Sequence, residues 1–285
     1  MSGTAEPAEI VESLRDSPLA PCYAKLDRAD RHLEELAMKV RMFYDEHDFG
    51  FTGVHDAKRG VYTVYPCIPA EPPMEWGAIV GDFVHNLRSA LDLLMWQLVL
   101  ARGGKPSRRT QFPIFERRAD YRLRGRLMIA GVARGDRGMI ECLQPFREMR
   151  RPLAGAHPLA QLARLANADK HQEMPPSTMG WGLTKGAQQS EIERWRPNAD
   201  AGSIEKTTFT RSFLDSTRLQ AGIPILRFKL ATTGPVPVVE VPAVWTVAVS
   251  ISGIHGFSSA EWIRDGVHRV FEKLGPRIAS ARAGG

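Results

Sequence analysis

The run WGAIVGDFVHNLRSALDLLMWQLVLA at residues 76–101 determines what kind of fold this chain can adopt. Its apolar residues recur at steps of three and four, which is the period of one face of an α-helix. Gly103, Gly104 and Pro106 follow the run and predict the end of that helix. Because the run is so apolar, we expect it to lie at the centre of a helical domain. The apolar positions are Val80, Val84, Leu87, Leu91, Leu94 and Leu98, with Phe83, Ala90, Met95 and Trp96 beside them.

The same helix carries a polar face. His85, Arg88 and Asp92 stand at positions i, i+3 and i+7, so they lie on one side within two turns. Charged side chains on a central helix need either partners or a cleft. Two interpretations follow: Arg88 and Asp92 form an ion pair beside a neighbouring histidine, or all three side chains line a functional cleft.

A second polar face is predicted on a helix over residues 157–171. Arg164, Asn167 and His171 have the same i, i+3, i+7 spacing, and Asp169 and Lys170 stand beside them. A histidine can exchange a proton with a ribose 2′-hydroxyl or a leaving oxygen, while a guanidinium stabilises the charged phosphorus centre. The alternative is that His171 interacts favourably with the helix dipole and Arg164 is solvated.

Residues 102–151 form a basic segment. It holds 14 lysines and arginines against 5 aspartates and glutamates, although the whole chain has a net charge of only +6. Such a segment attracts phosphate backbones, but it is equally typical of a solvated, arginine-rich face in a protein from a high-GC genome. The candidate RNA-binding residues are Arg117, Arg118, Arg122, Arg124 and Arg126.

The remaining patterns complete an α+β fold, in which a helical bundle precedes a small antiparallel sheet and a closing C-terminal helix. We expect a disordered tail at 1–20, a helical bundle at 21–175, and the sheet with its C-terminal helix at 176–285. The boundary near residue 176 stays open, because an early strand at 61–65 could join the later sheet. Further helices are predicted at 22–47, 120–129, 138–143 and 260–274, and further strands at 207–214, 223–230 and 236–252.

Composition excludes several classes of protein. The three cysteines are far apart and form no CxxC, which argues against a disulfide scaffold or zinc ribbon and for a reducing compartment. No run approaches the roughly 18 apolar residues of a membrane span, and the first residues do not resemble a secretory signal. We therefore expect a cytoplasmic protein that does not contact a membrane. Nucleotide-binding glycine motifs and catalytic-serine motifs are absent.

No cofactor or metal is expected either. His85, Asp92, Asp169 and His171 are the residues from which a metal site could be built. Nothing in their spacing selects a metal ion.

Two strings carry a resemblance to known proteins. Residues 81–92, GDFVHNLRSALD, then Phe112-Pro113-Ile114 and residues 165–171, LANADKH, resemble a group of uncharacterised actinobacterial and phage proteins over about residues 22–175. More distantly, the chain is similar to the HEPN superfamily of helical ribonucleases and toxins, whose signature is an arginine a few residues ahead of a histidine. Arg164 and His171 match its outer spacing, whereas Leu165 stands where that superfamily usually has a polar residue.

Two functions are therefore expected. The resemblance implies a metal-independent endoribonuclease of toxin or defence type, with a site completed across a homodimer. His171 would then be the general acid/base, Arg164 would stabilise phosphate, and Asn167 would orient the substrate. RNA, a second copy of the chain and an antitoxin or other protein would be its partners. The alternative is a non-enzymatic helical interaction module of phage or defence origin, in which both polar faces are structural.

Overall fold

The computed structural model describes residues 17–56, 58–147, 157–171, 179–181, 203–208, 222–224, 226–231, 245–247 and 260–283. The helices are α1 (Ala20–Glu46), α2 (Glu75–Leu100), α3 (Arg118–Asp120), α4 (Arg126–Met128), α5 (Arg134–Cys142), α6 (Pro158–His171) and α7 (Ala260–Ala283). The strands are β1 (Gly50–Asp56), β2 (Val61–Cys67), β3 (Met179–Trp181), β4 (Ser203–Thr208), β5 (Leu226–Ala231) and β6 (Trp245–Val247). A π-helical turn, Tyr121–Gly125, joins α3 to α4, and a 3₁₀ turn, Pro145–Arg147, follows α5.

Helix α2 confirms the central helix expected from its apolar period. It ends as predicted: Gly103 adopts a positive φ of 70°, and the amide of Gly104 donates to the carbonyl of Val99 at 3.0 Å. The buried apolar face includes Val80, Val84, Leu87, Leu91, Leu94 and Leu98. Buried residues of other helices in the same unit include Leu26 and Ala29 of α1, Leu162 of α6, and Ile263 and Val267 of α7.

The chain divides into a helical unit and a sheet unit, and neither is continuous in sequence. The helical unit contains Met1–Leu36, Gly77–Met174 and Ser258–Gly285, and the sheet unit contains Ala37–Trp76 and Pro175–Phe257. This division differs from the continuous domains 21–175 and 176–285 expected from the sequence. The physical reason is long-range pairing, because strand β2 pairs with β5 and helix α6 packs against α7.

In the sheet unit, four antiparallel strands follow the order β1-β2-β5-β4, while β3 and β6 form a separate antiparallel pair. Strand β1 is not predicted by the sequence pattern. It pairs with β2 through a tight turn in which a carboxylate oxygen of Asp56 accepts hydrogen bonds from the amides of Lys58 and Arg59, at 3.0 and 3.2 Å. Gly60 completes the turn with a φ of 61°.

The α+β class is confirmed, with shifts at the ends of several elements. Helix α1 begins at Ala20, the last residue of the predicted tail, whose residues 1–16 lie outside the described part of the chain. Helix α7 continues nine residues beyond its predicted end at Leu274, through Pro276. Strands β4, β5 and β6 each overlap a predicted strand, although most of 207–214 and 236–252 lies outside the described residues.

None of the helices in the described residues combines the length and the apolar character needed to cross a lipid bilayer. Cys22, Cys67 and Cys142 all carry free thiols.

Candidate functional site

The ion pair predicted on α2 is present, and it holds a distant backbone segment. Arg88 Nη2 donates to Asp92 Oδ1 at 2.9 Å and to the carbonyl oxygen of Phe112 at 2.7 Å. The same Asp92 oxygen accepts a hydrogen bond from the amide of Phe112, also at 2.9 Å. The two side chains therefore satisfy both polar backbone groups of Phe112, which would otherwise be buried without partners beside α2.

Gln144 binds two further residues of the same segment, Pro113 and Phe115. Its Nε2 donates to the carbonyl oxygens of Pro113 and Ile140 at 2.8 and 3.2 Å. Its Oε1 accepts a hydrogen bond from the amide of Phe115 at 3.1 Å. Since the side chain is only 1% exposed, these bonds satisfy both ends of a buried amide.

Arg164 binds the end of the segment through a bidentate ion pair. Its Nε donates to Glu116 Oε1 at 2.9 Å, and its Nη2 donates to Glu116 Oε2 at 2.7 Å. The arginine side chain is 32% exposed and the glutamate 38%. A paired fork of this kind fixes the orientation of the guanidinium as well as its position.

Residues 112–116 are thus held from three elements of the helical unit. Helix α2 supplies Arg88 and Asp92, the turn after α5 supplies Gln144, and α6 supplies Arg164. Each of the two arginines faces a carboxylate at hydrogen-bonding distance, so its charge is already balanced inside the protein. The arrangement is well suited to shaping a loop and poorly suited to holding a phosphate.

Two other predicted site residues, His85 and Asn167, take no part in these contacts. His85 is exposed on α2, and its nearest polar contact is Ser89 Oγ, at 3.5 Å from Nε2. Asn167 is exposed on α6, one turn beyond Arg164, and α6 ends at His171. The side chains of Asp169, Lys170 and His171 lie outside the described residues, so the predicted pairing of Arg164 with His171 stays a prediction.

The predicted RNA-binding arginines separate into two groups. Arg118 pairs with Glu141 at 3.3 Å, and Arg124 pairs with Asp120 at 3.6 Å while its guanidinium carbon lies 5.4 Å from the ring centre of Phe115. In the described part of the chain, the other three arginines are exposed and make no ion pair or hydrogen bond through their side chains. These three are Arg117, Arg122 and Arg126.

Several partners in these contacts were not identified from the sequence. Glu116 and Gln144 have no motif around them, and their partners lie 48 and up to 31 residues away. Asp136, which is 1% exposed, pairs with Arg277 of α7 and lies 3.6 Å from Nε of Arg102. Short-range spacing gives no signal for such contacts, because the paired residues meet only after the helices pack.

Burial raises the pKa of the Tyr23 hydroxyl and of two further groups in the helical unit. It raises the pKa of the Cys22 thiol to about 12 and that of the Tyr121 hydroxyl to about 12. Both side chains are therefore neutral near pH 7. Burial therefore disfavours the thiolate and the phenolate, the forms in which these groups act as a nucleophile or a base.

The described residues also contain no cluster of three or more histidine, cysteine, aspartate or glutamate side chains that could hold a metal ion. Two of the four side chains from which the sequence could build a metal site, those of Asp169 and His171, lie outside that description.

No protein-family model, curated protein or solved structure matches this chain.

Proposed function

We propose that this chain is a non-enzymatic helical interaction module whose polar faces are structural. The observation that supports the proposal is the common target of Arg88, Asp92, Gln144 and Arg164, which all bond to residues 112–116. A guanidinium that stabilises the charged phosphorus centre during RNA cleavage must be able to contact the phosphate. Arg164 is instead engaged by both carboxylate oxygens of Glu116.

A structural role for Arg164 makes a specific energetic prediction. We expect Arg164→Ala and Glu116→Ala to destabilise the protein by similar amounts, and the double variant to cost less than their sum. The coupling should be about 0.5–1 kcal/mol, because both side chains are partly exposed to solvent. Urea unfolding of the four proteins measures it. A coupling near zero would remove the main support for this role.

A ribonuclease assay tests the non-enzymatic part of the proposal directly. We expect no cleavage when the purified protein is incubated with end-labelled RNA in the presence of EDTA. The matched variants are His171→Ala and His268→Ala, since His268 lies on α7, which carries neither polar face. Cleavage that leaves 2′,3′-cyclic phosphate ends, and that is lost in His171→Ala but kept in His268→Ala, would overturn the proposal.

The second candidate function is a HEPN-like, metal-independent endoribonuclease that acts as a toxin or defence protein. One observation favours it: Glu116, which binds the proposed catalytic arginine, immediately precedes the unpaired Arg117 of the basic segment. RNA bound along that segment would therefore pass close to Arg164. In this proposal Asn167 and His171 complete the site, His85, Arg88, Asp92, Asp169 and Lys170 line it, and a second copy of the chain and a protein antitoxin are the partners.

A further inference from the structure

The helical segment 118–128, which we call the crest, exposes two leucines to solvent. Tyr121, Gly125 and Ile129 face the interior at four-residue intervals. Leu123 and Leu127 fall between them on the opposite side, where they are 72% and 55% exposed. The first of these intervals coincides with the π-helical turn Tyr121–Gly125, which is wound more loosely than an α-helix.

Aromatic side chains pack beneath the crest. The ring of Tyr121 lies 5.4 Å from that of Phe146 and 6.2 Å from that of Phe115, measured between centroids. A Cβ at Gly125 would come within 2.7 Å of Tyr121 Cδ2 and 3.0 Å of Phe115 Cε2, so glycine permits this close approach. Phe115 belongs to the segment that Gln144 holds. The contacts around residues 112–116 therefore support the crest from below.

Unpaired positive charge lies beside the two leucines. Arg122 and Arg126 each precede one of them, and Arg117 stands just before α3. All three guanidinium groups make no ion pair or hydrogen bond with another described residue, whereas Arg118 and Arg124 are paired with carboxylates. We call Arg117, Arg122, Leu123, Arg126 and Leu127 the arginine–leucine ridge.

We infer that the arginine–leucine ridge binds an acidic amphipathic helix of a partner protein. Its aliphatic side chains would cover Leu123 and Leu127, and carboxylates on its flanks would meet the three arginines. This inference rests on the proposed interaction function and names the partner's chemistry. Protein interfaces combine an apolar centre with arginine in this way.

The leucines favour a protein partner over RNA. Single-stranded RNA is bound by basic grooves with aromatic side chains on which bases stack. The crest presents aliphatic side chains instead, and a phosphate backbone lying along the arginines would leave Leu123 and Leu127 against charged oxygens. The ridge is about 11 residues long, so a partner helix of about three turns would span it.

The test uses a labelled synthetic helix of about 12 residues, with two leucines four positions apart and glutamates on both flanks. A second peptide replaces its leucines with serine. The protein variants are L123S/L127S and R122E/R126E. R108E/R109E is the control, because it makes the same change in net charge at exposed arginines outside the ridge. Circular dichroism verifies that each variant is folded before fluorescence anisotropy is measured.

We expect the leucine peptide to bind and the serine peptide to bind at least about tenfold more weakly. Both ridge variants should weaken binding by a similar factor, while R108E/R109E should change it less than about twofold. No binding of the leucine peptide at about 1 mM would overturn the inference. So would equal losses in R122E/R126E and R108E/R109E, which would indicate only a response to net charge.

Two further probes separate the other classes of partner. They are a single-stranded RNA and vesicles of phosphatidylserine with phosphatidylcholine. If the protein binds either probe more tightly than the leucine peptide, and if R122E/R126E abolishes that binding, the ridge binds that class of partner and the inference is wrong. The ribonuclease assay stays independent: cleavage dependent on His171 would overturn the non-enzymatic function, whereas failure of peptide binding alone would overturn only the partner assignment.

Discussion

Asp92 serves two donors with one carboxylate oxygen, the guanidinium of Arg88 and the amide of Phe112. We expect Asp92→Ala to lower the free energy of unfolding by about 1–3 kcal/mol, because the part-buried amide of Phe112 then loses its acceptor and the guanidinium of Arg88 loses one of its two acceptors. Asp92→Asn should cost less, since its carbonyl oxygen can still accept. Denaturant unfolding compares the two, with Asp82→Ala at an exposed position of α2 as the control. Equal stability of Asp92→Ala and Asp82→Ala would contradict the structural role.

The ion pair itself could be predicted, but its purpose could not. A separation of four residues on a helix brings Arg88 and Asp92 together whatever the rest of the fold does. Phe112 lies 20 residues after Asp92, beyond the end of α2, and offers backbone atoms that carry no sequence signal. Glu116 and Gln144 were missed for the same reason. The sequence could therefore identify polar residues of the region without indicating what they hold.

Cys22 should distinguish itself from the other two thiols by reactivity. Since Cys67 and Cys142 are exposed and Cys22 is buried, we expect two thiols to react quickly with Ellman's reagent at about pH 8. The third should react only after unfolding. Rapid reaction of all three thiols in the native protein would contradict the buried position of Cys22.

Burial of Cys22 also predicts a loss of stability in alkali. It raises the pKa of the thiol from 9.0 to about 12, so the folded state holds the proton more tightly than the unfolded state. The resulting stabilisation is complete below pH 9 and is lost as the pH rises toward 12. When urea unfolding is measured across that pH range, the free energy of unfolding should decline less steeply with pH in Cys22→Ala than in the wild-type protein. If the free energy of unfolding declines equally in both proteins, the loss of stability comes from Tyr44 and Tyr121 instead. Burial raises the pKa values of these two hydroxyls to about 12 as well.

Helices α6 and α7 approach each other closely at Gly266, which has no side chain. A Cβ on Gly266 of α7 would collide with the ring of Pro158, the first residue of α6. Gly266→Ala should therefore force the two helices apart and cost about 1–3 kcal/mol. Gly138→Ala in α5 is the matched control, because nothing lies within 4 Å of its Cβ position. There the change should stabilise by up to about 1 kcal/mol. Thermal melts that shift in the same direction for both variants would contradict this packing.

Helices were more predictable than strands because their signal is local. An apolar period of three and four residues gave α1, α2 and α6 with ends close to those observed. It also gave the start of α7, but it placed the end of that helix nine residues too early. Strand β1, GFTGVHD, contains two glycines and no alternation of apolar and polar residues, so nothing in it indicates a strand. Its pairing with β2 forms the hairpin that the structure describes.

At the scale of the whole molecule, both units are assembled from segments distant in sequence. Strands β1 and β2 come from between α1 and α2, yet they belong to a sheet completed by β5 and β4, more than 130 residues later. Helix α7 returns to the unit that contains α2 and α6. The residue pattern of each segment predicts whether it forms a helix or a strand. Which helices and strands share a unit depends on their packing, and the periodicity of a single sequence carries no information about that packing.

This assembly predicts that the last helix is essential to a unit that begins with the first. Val267 of α7 is fully buried, so Val267→Asp would place an unpaired carboxylate in the core, at a cost of several kcal/mol. Because a domain's whole stability is about 5–15 kcal/mol, we expect the melting temperature to fall by roughly 10 °C or more. Arg269→Asp, at an exposed position two residues along, should change it by less than about 2 °C. Near-ultraviolet circular dichroism during heating measures both. The two aspartates differ in that one stands at a buried position of α7 and the other at an exposed one. Similar melting temperatures of the two variants would therefore mean that α7 is not part of the helical core.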